Sequence, residues 1–503
     1  KLFLKIFYLL DSKLKIRFYT LAIFTVIASL FEYLSLAALF PSIVLITKNK
    51  NNELDNNIFI NLIEDFNFQN PELIFIATFF FIYLIKLIFL FFIIIHQNKF
   101  IYLLKKNISD KISYKFLNND LLHQVRKKTS DMITILTDEI AQVGQLYFHL
   151  IMILTDIFLI FSISIFLFIL NFKATFFIFL ILFAVILIYQ ISVKKIVSIK
   201  AKDRQEHFSN RIYLSNFIIK AFKEIKIFKK ENYFLKLFEL STIKNFKSLA
   251  IINIIQSIPR LVIELILLFS IIGFLILIDL NNLNLEIYLP IIGIYLFATM
   301  RLIPTFTKIS SSINLINFCK PSLNIIHREM KNSVKKKQLE NNKNKKFFFR
   351  KYISIQKLSF SYSNKKVFDN LNFNLKKNEI NVIAGRSGSG KTTLLNILMG
   401  LITTYHGKIL IDNYDIKNLG SKWIEKLAFI PQDINLLNSD IRSNIAFGEN
   451  SEDIDDNKIK KIIKLLDFKY FISQLSMGLK TKVGDHGKLI SGGQIQRIAI
   501  ARA

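Results

Sequence analysis

At 503 residues, with 52% hydrophobic and 21% charged residues, the chain is too long for one domain and too apolar for an ordinary soluble protein. The formal net charge of +30 could suit nucleic acid, but the cations flank apolar runs, where they would face an anionic cytoplasmic leaflet, so no nucleic-acid partner is expected. Cys319 is the only cysteine, which excludes an intrachain disulfide and a cysteine metal cluster and suits a cytoplasmic face.

Phe, Ile, Lys and Asn are abundant along the whole chain. That uniform bias points to genome composition, so a single Lys or Phe carries little weight. The chain begins at Lys1 rather than Met, no cleavable signal precedes the first apolar segment, and both ends are expected to be trimmed.

Apolar runs lie near Phe18 to Thr47, Leu73 to Ile95, Gln145 to Phe172, Ala174 to Val193, Ala250 to Ile278 and Ile287 to Met300. Each can form a helix that approaches or crosses a hydrocarbon core of about 30 Å, which needs roughly 20 residues. The expected architecture is therefore an all-α membrane domain of six helices.

Lys5, Lys13, Lys15 and Arg17 precede the first span. Lys99, Lys105, Lys106, Arg126, Lys127 and Lys128 follow the second, and Lys194, Lys195, Lys200, Lys220, Lys229 and Lys230 follow the fourth. The alternate loops carry Glu53, Asp55, Glu64 and Asp65, or Asp279 and Glu286, so the N-terminus and both long loops are predicted to be cytoplasmic.

Those loops, about Lys99 to Asp138 and Lys194 to Lys247, keep helical apolar spacing and have few breakers, which predicts helices continuing beyond the membrane. In the first outer loop Phe59, Leu62, Ile63 and Phe66 share one helical face, consistent with a short helix on the outer leaflet. From about Cys319 to Tyr352 the chain turns polar and lysine-rich, which predicts a membrane domain over 1–320, a linker over 321–350 and a soluble α/β domain over 351–503.

The strongest chemical signal is "INVIAGRSGSGKTTLLNILMG". An apolar strand over Ile380 to Ala384 is predicted to enter Gly385, Arg386, Ser387, Gly388, Ser389, Gly390, Lys391, Thr392 and Thr393, with a helix following. Glycines in such a loop let backbone N–H groups close round phosphate oxygens beside a helix N-terminus. Lys391 would reach the β- and γ-phosphates and the Thr392 hydroxyl would ligate Mg²⁺, which makes ATP and Mg²⁺ the expected cofactors. Alone, this loop allows any P-loop NTPase.

Its neighbours resemble the ATP-binding cassette of ABC transporters. Tyr362 in "LSFSY" resembles the aromatic residue that stacks on adenine, and "AFIPQDINLLNSDIRSNIAFG" resembles the Q-loop segment, with Gln432 sensing Mg²⁺ and the attacking water. "TKVGDHG", Thr481 to Gly487, resembles the loop before the exporter signature, although Asp485 stands where Glu is usual. "ISGGQ", Ile490 to Gln494, resembles the signature itself, with Ile490 replacing the usual Leu.

The resemblance spans the whole chain and implies an exporter half-transporter: a six-helix membrane domain followed by an α/β P-loop cassette. It implies that the stretches around Leu122 to Arg126 and Ala221 to Lys230 form coupling helices. It also implies pairing with a second half-transporter, expected to be a second copy, so that Ser491, Gly492, Gly493 and Gln494 meet the phosphates held by the opposite P-loop. Gln432 and Lys391 are the implied catalytic residues, and Gln432 joins Thr392 at the metal. The family's strand ending in Asp-Glu and its switch His are not found before Ala503, so the cassette is expected to be incomplete and the 503 residues to hydrolyse little ATP, while the parent protein is an ATPase.

Lys86, Arg260 and Arg301 lie inside or at the edge of the second, fifth and sixth spans. Intramembrane charge is costly and usually faces a cavity or a partner. An anion-binding cavity, snorkelling, and pairing with Glu32 or Glu264 all accommodate these residues.

"SLFEYLSLAALFPSIVLI", "SIPRLVIELILLF" and "MRLIPTF", with the outer helix around Phe59 to Phe66, resemble the lipid-linked oligosaccharide flippases among bacterial ABC exporters. In such a flippase, basic side chains would suit the pyrophosphate between lipid and glycan. The implied location is the bacterial cytoplasmic membrane, with the cassette inside. A multidrug, lipid or peptide exporter of the same fold is the alternative, and an ATP-binding fragment without coupled turnover is a third reading.

Overall fold

The computed structural model describes residues 2–47, 71–125, 127–170, 172–280, 285–331, 347–362 and 365–503. The expected outer helix around Phe59 to Phe66, the acids Glu53, Asp55, Glu64 and Asp65, Arg126, and residues 332–346 of the expected linker lie outside them. The chain divides into two compact units, Lys1–Lys335 and Lys336–Ala503.

The first unit opens with a short helix α1 (Leu2–Leu9), which buries Ile6 and Leu9 while exposing Phe3, Leu4 and Tyr8. The long helices α2 (Ser12–Thr47) and α3 (Pro71–Asn118) follow, then the short α4 (Leu121–Val125) and α5 (Thr129–Thr134). Next come α6 (Ile140–Leu170), α7 (Phe172–Lys220), a short α8 (Phe222–Ile227), α9 (Glu231–Leu280) and α10 (Leu285–Lys331).

Five helical segments among the described residues are long and apolar enough to cross a membrane: Ser12–Ser35, Ile76–Asn118, Thr129–Ile169, Thr175–Lys220 and Glu231–Ile266. The sixth expected span falls in α10. With 49 residues, α7 is about 70 Å long, far more than a hydrocarbon core of about 30 Å needs. Its polar second half, from Lys194, is the predicted extension beyond the membrane.

The core of this extension gathers Leu104, Ile108, Ile112, Val143, Tyr147, Val197 and Ala201 from α3, α6 and α7. Between α5 and α6 the chain makes a widened π turn, Ile135–Glu139. One extra residue per turn brings the consecutive acids Asp138 and Glu139 toward one cation. Arg204, only 2% exposed, bonds Asp138, donates to Ser322 Oγ at 3.1 Å and lies 3.8 Å from Glu139. Its guanidinium also covers the Phe318 ring at 5.3 Å.

α10 continues helically to Lys331, beyond the boundary expected at 320. Phe318, Cys319, Ser322, Leu323 and Ile326 are buried along one helical face, so inward periodicity persists after the outward side turns polar. Burial pushes the Cys319 thiol up to about 12, which leaves it a small apolar group rather than a reactive thiolate.

The second unit begins with antiparallel strands β1 (Tyr352–Tyr362) and β2 (Lys365–Lys376), followed after the P-loop by α11 (Lys391–Leu398). β3 (His406–Ile411) and β4 (Tyr414–Asp415) complete a sheet of order β2-β1-β3-β4. Asp412, in the tight turn after β3, accepts backbone N–H bonds from Arg350, Lys351 and Tyr352 at 2.8, 2.7 and 3.1 Å. Burial opposes its charge, but these donors and the Arg350 charge outweigh that cost and hold the carboxyl below its ordinary value.

Helices α12 (Ile416–Leu419), α13 (Ser421–Ile424), α14 (Ile441–Ile445), α15 (Asp456–Leu465), α16 (Lys469–Ser473) and α17 (Gly492–Arg502) complete the unit. Leu436, Ile441, Ile459, Phe471, Val483 and Ile498 form the core around α14 to α17.

One expectation fails here. Ile380 to Ala384 is not a strand: the segment is irregular, with Ile380 96% and Val382 81% exposed. A strand needs a hydrogen-bonded neighbour, and no described segment pairs with this one. Hydrophobic sequence supplies the propensity without supplying the ladder.

Candidate functional site

The loop is exposed from Gly385 to Ser389, half-buried at Gly390, and turns through left-handed backbone at Gly388 (φ 80°) and Gly390 (φ 94°). At Gly390 a Cβ would lie 2.5 Å from Val367 Cγ1, so the loop can pack this closely on β2 only without a side chain. α11 starts at once with Lys391 and buries Thr393, Leu394, Ile397 and Leu398. Trp423 Nε1 donates to the Leu398 carbonyl at 2.7 Å, which anchors the far end of the helix.

Lys391 Nζ donates to the carbonyls of Gly385 and Arg386 at 2.8 and 2.9 Å. Neutral carbonyls hold an ammonium more weakly than phosphate oxygens do. The neighbouring Thr392 is exposed at the helix start. Arg386, Ser387 and Ser389 complete the exposed rim of the loop. Glycine curvature, a free helix N-terminus, a cation and a hydroxyl all suit a triphosphate with Mg²⁺. Among the described residues, no group of three or more His, Cys, Asp or Glu side chains could hold a metal by itself.

Tyr362 stands beside this cradle: its hydroxyl lies 3.4 Å from Thr393 Oγ1 and its ring packs edge-on against Phe360. Gln432, by contrast, lies on an exposed loop, and among the described residues no hydrogen bond joins it or the Ser491–Gln494 turn to the P-loop.

The Ser-Gly-Gly-Gln stretch has a structural role that its motif reading missed. Ser491 caps α17: Gln494 N–H donates to Ser491 Oγ at 3.3 Å, and Ser491 N–H donates back to Gln494 Oε1 at 2.9 Å. The S-x-x-Q spacing was the available signal for this reciprocal capping box. Capping uses both side chains and leaves Gly492 and Gly493 exposed, with open space where a Cβ would stand.

Asn444 and Arg502 were also missed. Asn444 is fully buried and bonds the backbone of Leu437 in both directions, at 2.8 and 3.0 Å. Arg502, at the end of α17, donates to the Asn444 carbonyl at 2.9 Å and the Asn435 carbonyl at 3.1 Å. The segment following Gln432 is thereby fastened to α17. The loop Thr481 to Gly487 joins the same frame, with Ile441 N–H bonded to Thr481 O at 3.1 Å and Val483 N–H to Ser439 O at 3.0 Å.

In the membrane unit, Lys86 and Arg301 come together and Arg260 does not join them. Lys86, 2% exposed, pairs with Glu32 and lies 4.6 Å over the Tyr83 ring. Arg301 approaches the other Glu32 oxygen at 3.4 Å and donates to the Tyr83 hydroxyl. Two cations therefore share one buried carboxylate. Arg260 instead pairs one turn along α9 with Glu264 at 2.7 Å and is 72% exposed. Tyr83 and the buried Asp156 were not singled out from the sequence, because their significance depends on contacts between helices.

Short helices do form where coupling helices were expected. α4 exposes Val125, and α8 exposes Phe222 and Ile227.

Two family models match this chain: "ABC transporter transmembrane region" over residues 22–301 and "ABC transporter" over residues 368–503. A putative export ATP-binding/permease protein of Rickettsia typhi is 39% identical over 155 residues, covering 30% of this chain and 27% of that protein. An ATP-dependent lipid A-core flippase of Francisella tularensis is 34% identical over 152 residues, covering 30% of this chain and 25% of the flippase. The matched part is thus about a quarter of these relatives' length. The solved structure of a bacterial Atm1-family ABC exporter with ATP bound superposes with a TM-score of 0.75 at 16% identity, covering 98% of this chain and 84% of the exporter chain. That likeness concerns the fold.

Proposed function

Because the chain belongs to the ABC transporter family, with a membrane region joined to a nucleotide-binding cassette, we propose that it is an exporter half-transporter in the bacterial cytoplasmic membrane that moves a lipid-linked, pyrophosphate-bearing glycan using ATP. The observation that carries the ATP-driven part is the P-loop cradle, open to the surface with Lys391 held only by loop carbonyls.

The loop N–H groups and Lys391 would bind the phosphates, Tyr362 the adenine, and Thr392 with Gln432 the Mg²⁺, which when bound neutralises phosphate charge. The signature turn of a second copy would face this cradle, its capping box directing Gly492 and Gly493 outward. Cassette closure would then be passed to the membrane helices through α4 and α8. Both P-loop and signature turn lie exposed without bonding one another, which supports a composite site completed by dimerisation.

The anionic substrate is supported by the pair of cations on Glu32, which leaves one positive charge in excess. Arg301, one-third exposed, and the exposed Arg260 would meet the ligand, whereas enclosed Lys86 would position Glu32. The relatives named ATP-dependent lipid A-core flippases favour a lipid as the class of cargo.

ATPase activity of the full-length protein in vesicles tests the reading. Lipid-linked oligosaccharide pyrophosphate should stimulate turnover, and Arg260→Ala with Arg301→Ala should remove the stimulation. Stimulation by neutral hydrophobic drugs alone would favour the multidrug reading, for which the full burial of Lys86 is the supporting observation.

A further inference from the structure

A cleft of about 620 Å³ lies between the start of α2 and α3, lined by Lys13, Arg17, Lys106, Asn107, Asp11 and Asp110 among others. Along the helices it is separated from the charges assigned to cargo, Arg17 lying about 22 Å from Glu32 on α2 and Lys106 about 30 Å from Lys86 on α3. Asp11 is already satisfied, accepting from Asn107 Nδ2 at 2.7 Å and from Lys111. Lys13, Arg17 and Lys106 have no ion pair among the described residues, nor has Asp110. Three unpaired cations thus face one unpaired carboxylate.

The surroundings define what such a cleft would meet. α2 and α3 run antiparallel, as Phe18 packs on Phe100 while Phe31 packs on Phe89. Starting at the cleft, α2 exposes Ile16, Tyr19, Ile23 and Leu30, and α3 exposes Tyr102, Ile95, Phe91 and Ile88. An apolar band therefore rises from the cationic cleft on both helices. Charge distribution places this end on the cytoplasmic side, where the leaflet is anionic.

We propose that this cleft binds the phosphodiester head group of an anionic phospholipid of the cytoplasmic leaflet, with the acyl chains lying along the exposed faces of α2 and α3. Lys13, Arg17 and Lys106 bind the phosphate, and the apolar band distinguishes a lipid from a free phosphate. Basic pockets between membrane helices on the cytoplasmic side suit such head groups. The lipid is a bound component, distinct from the transported cargo.

Native mass spectrometry of the full-length protein, titrated with phosphatidylglycerol, phosphatidylcholine or inorganic phosphate, tests the site. The wild type should retain phosphatidylglycerol, and K13Q/R17Q/K106Q should bind it at least about tenfold more weakly, since each cation near such a head group contributes about fivefold. K194Q/K195Q/K220Q, which removes as many cytoplasmic cations elsewhere, should stay within about twofold of wild type. The single variants R17Q and K106Q, each about fivefold weaker, give the readout if the triple variant does not fold. Equal weakening in pocket and control variants, equal retention of phosphatidylcholine, or displacement by equimolar inorganic phosphate would each overturn the proposal.

Discussion

Lys86 in the membrane unit and Lys391 in the cassette are both helix-borne cations with opposite surroundings. Lys86 is enclosed, paired with Glu32 and shielded by Tyr83. Lys391 sits at the start of α11 and bonds only two carbonyls of its own loop. Water is excluded at the first site, so charge must be compensated by the protein itself. At the second, neutral carbonyls alone hold the ammonium, and in the proposed function a phosphate would take it over. A cation's availability to a ligand follows from its partners, and residue type alone does not reveal it.

The sharpest test is Lys391→Ala in the full-length protein. Removing a charge-assisted phosphate contact of up to about 3 kcal/mol should weaken ATP binding about 100-fold, measured by nucleotide titration, with little change in melting temperature. Glu32→Ala should do the reverse. It leaves Lys86 and Arg301 unpaired and should cost about 3–5 kcal/mol of stability, read by thermal unfolding in detergent, with nucleotide affinity unchanged. If Glu32→Ala is neutral in stability, the contrast between the two sites collapses.

Within the cassette, Asn444→Ala should destabilise by about 2–3 kcal/mol, because it strands the Leu437 backbone and loosens α17 from the segment after Gln432. Ser491→Ala should cost about 1 kcal/mol through the lost cap. Chemical denaturation measures both.

The smallest effect is on acid stability. The folded-state pKa of Asp412 is depressed, so its contribution is present above the ordinary carboxylate range and is lost as pH falls through the folded value. Asp412→Asn should therefore lower stability at neutral pH and leave it little changed below the folded pKa, which flattens the acid limb of a melting curve against pH.

Local chemistry made several features legible. The P-loop is a contiguous run whose glycines take the required backbone, and the long helices follow from apolar length. The capping box at Ser491 was equally local but was hidden by the stronger resemblance of the same residues to a nucleotide signature. The strand expected at Ile380 to Ala384 was a different kind of miss, since strand formation depends on a neighbour as well as on propensity.

Sequence by itself determined the two-part organisation, the basic residues flanking the apolar runs, the cradle's residue types and the cost of charge within an apolar run. Only tertiary structure decided that Lys86 and Arg301 share Glu32 while Arg260 pairs within its own helix, and that Asn444 joins two motif-bearing segments. The physical reason is range. Hydropathy and turn chemistry act over a few residues along the chain, whereas compensation of a buried charge and satisfaction of a buried amide require groups brought together by helix packing and chain crossing.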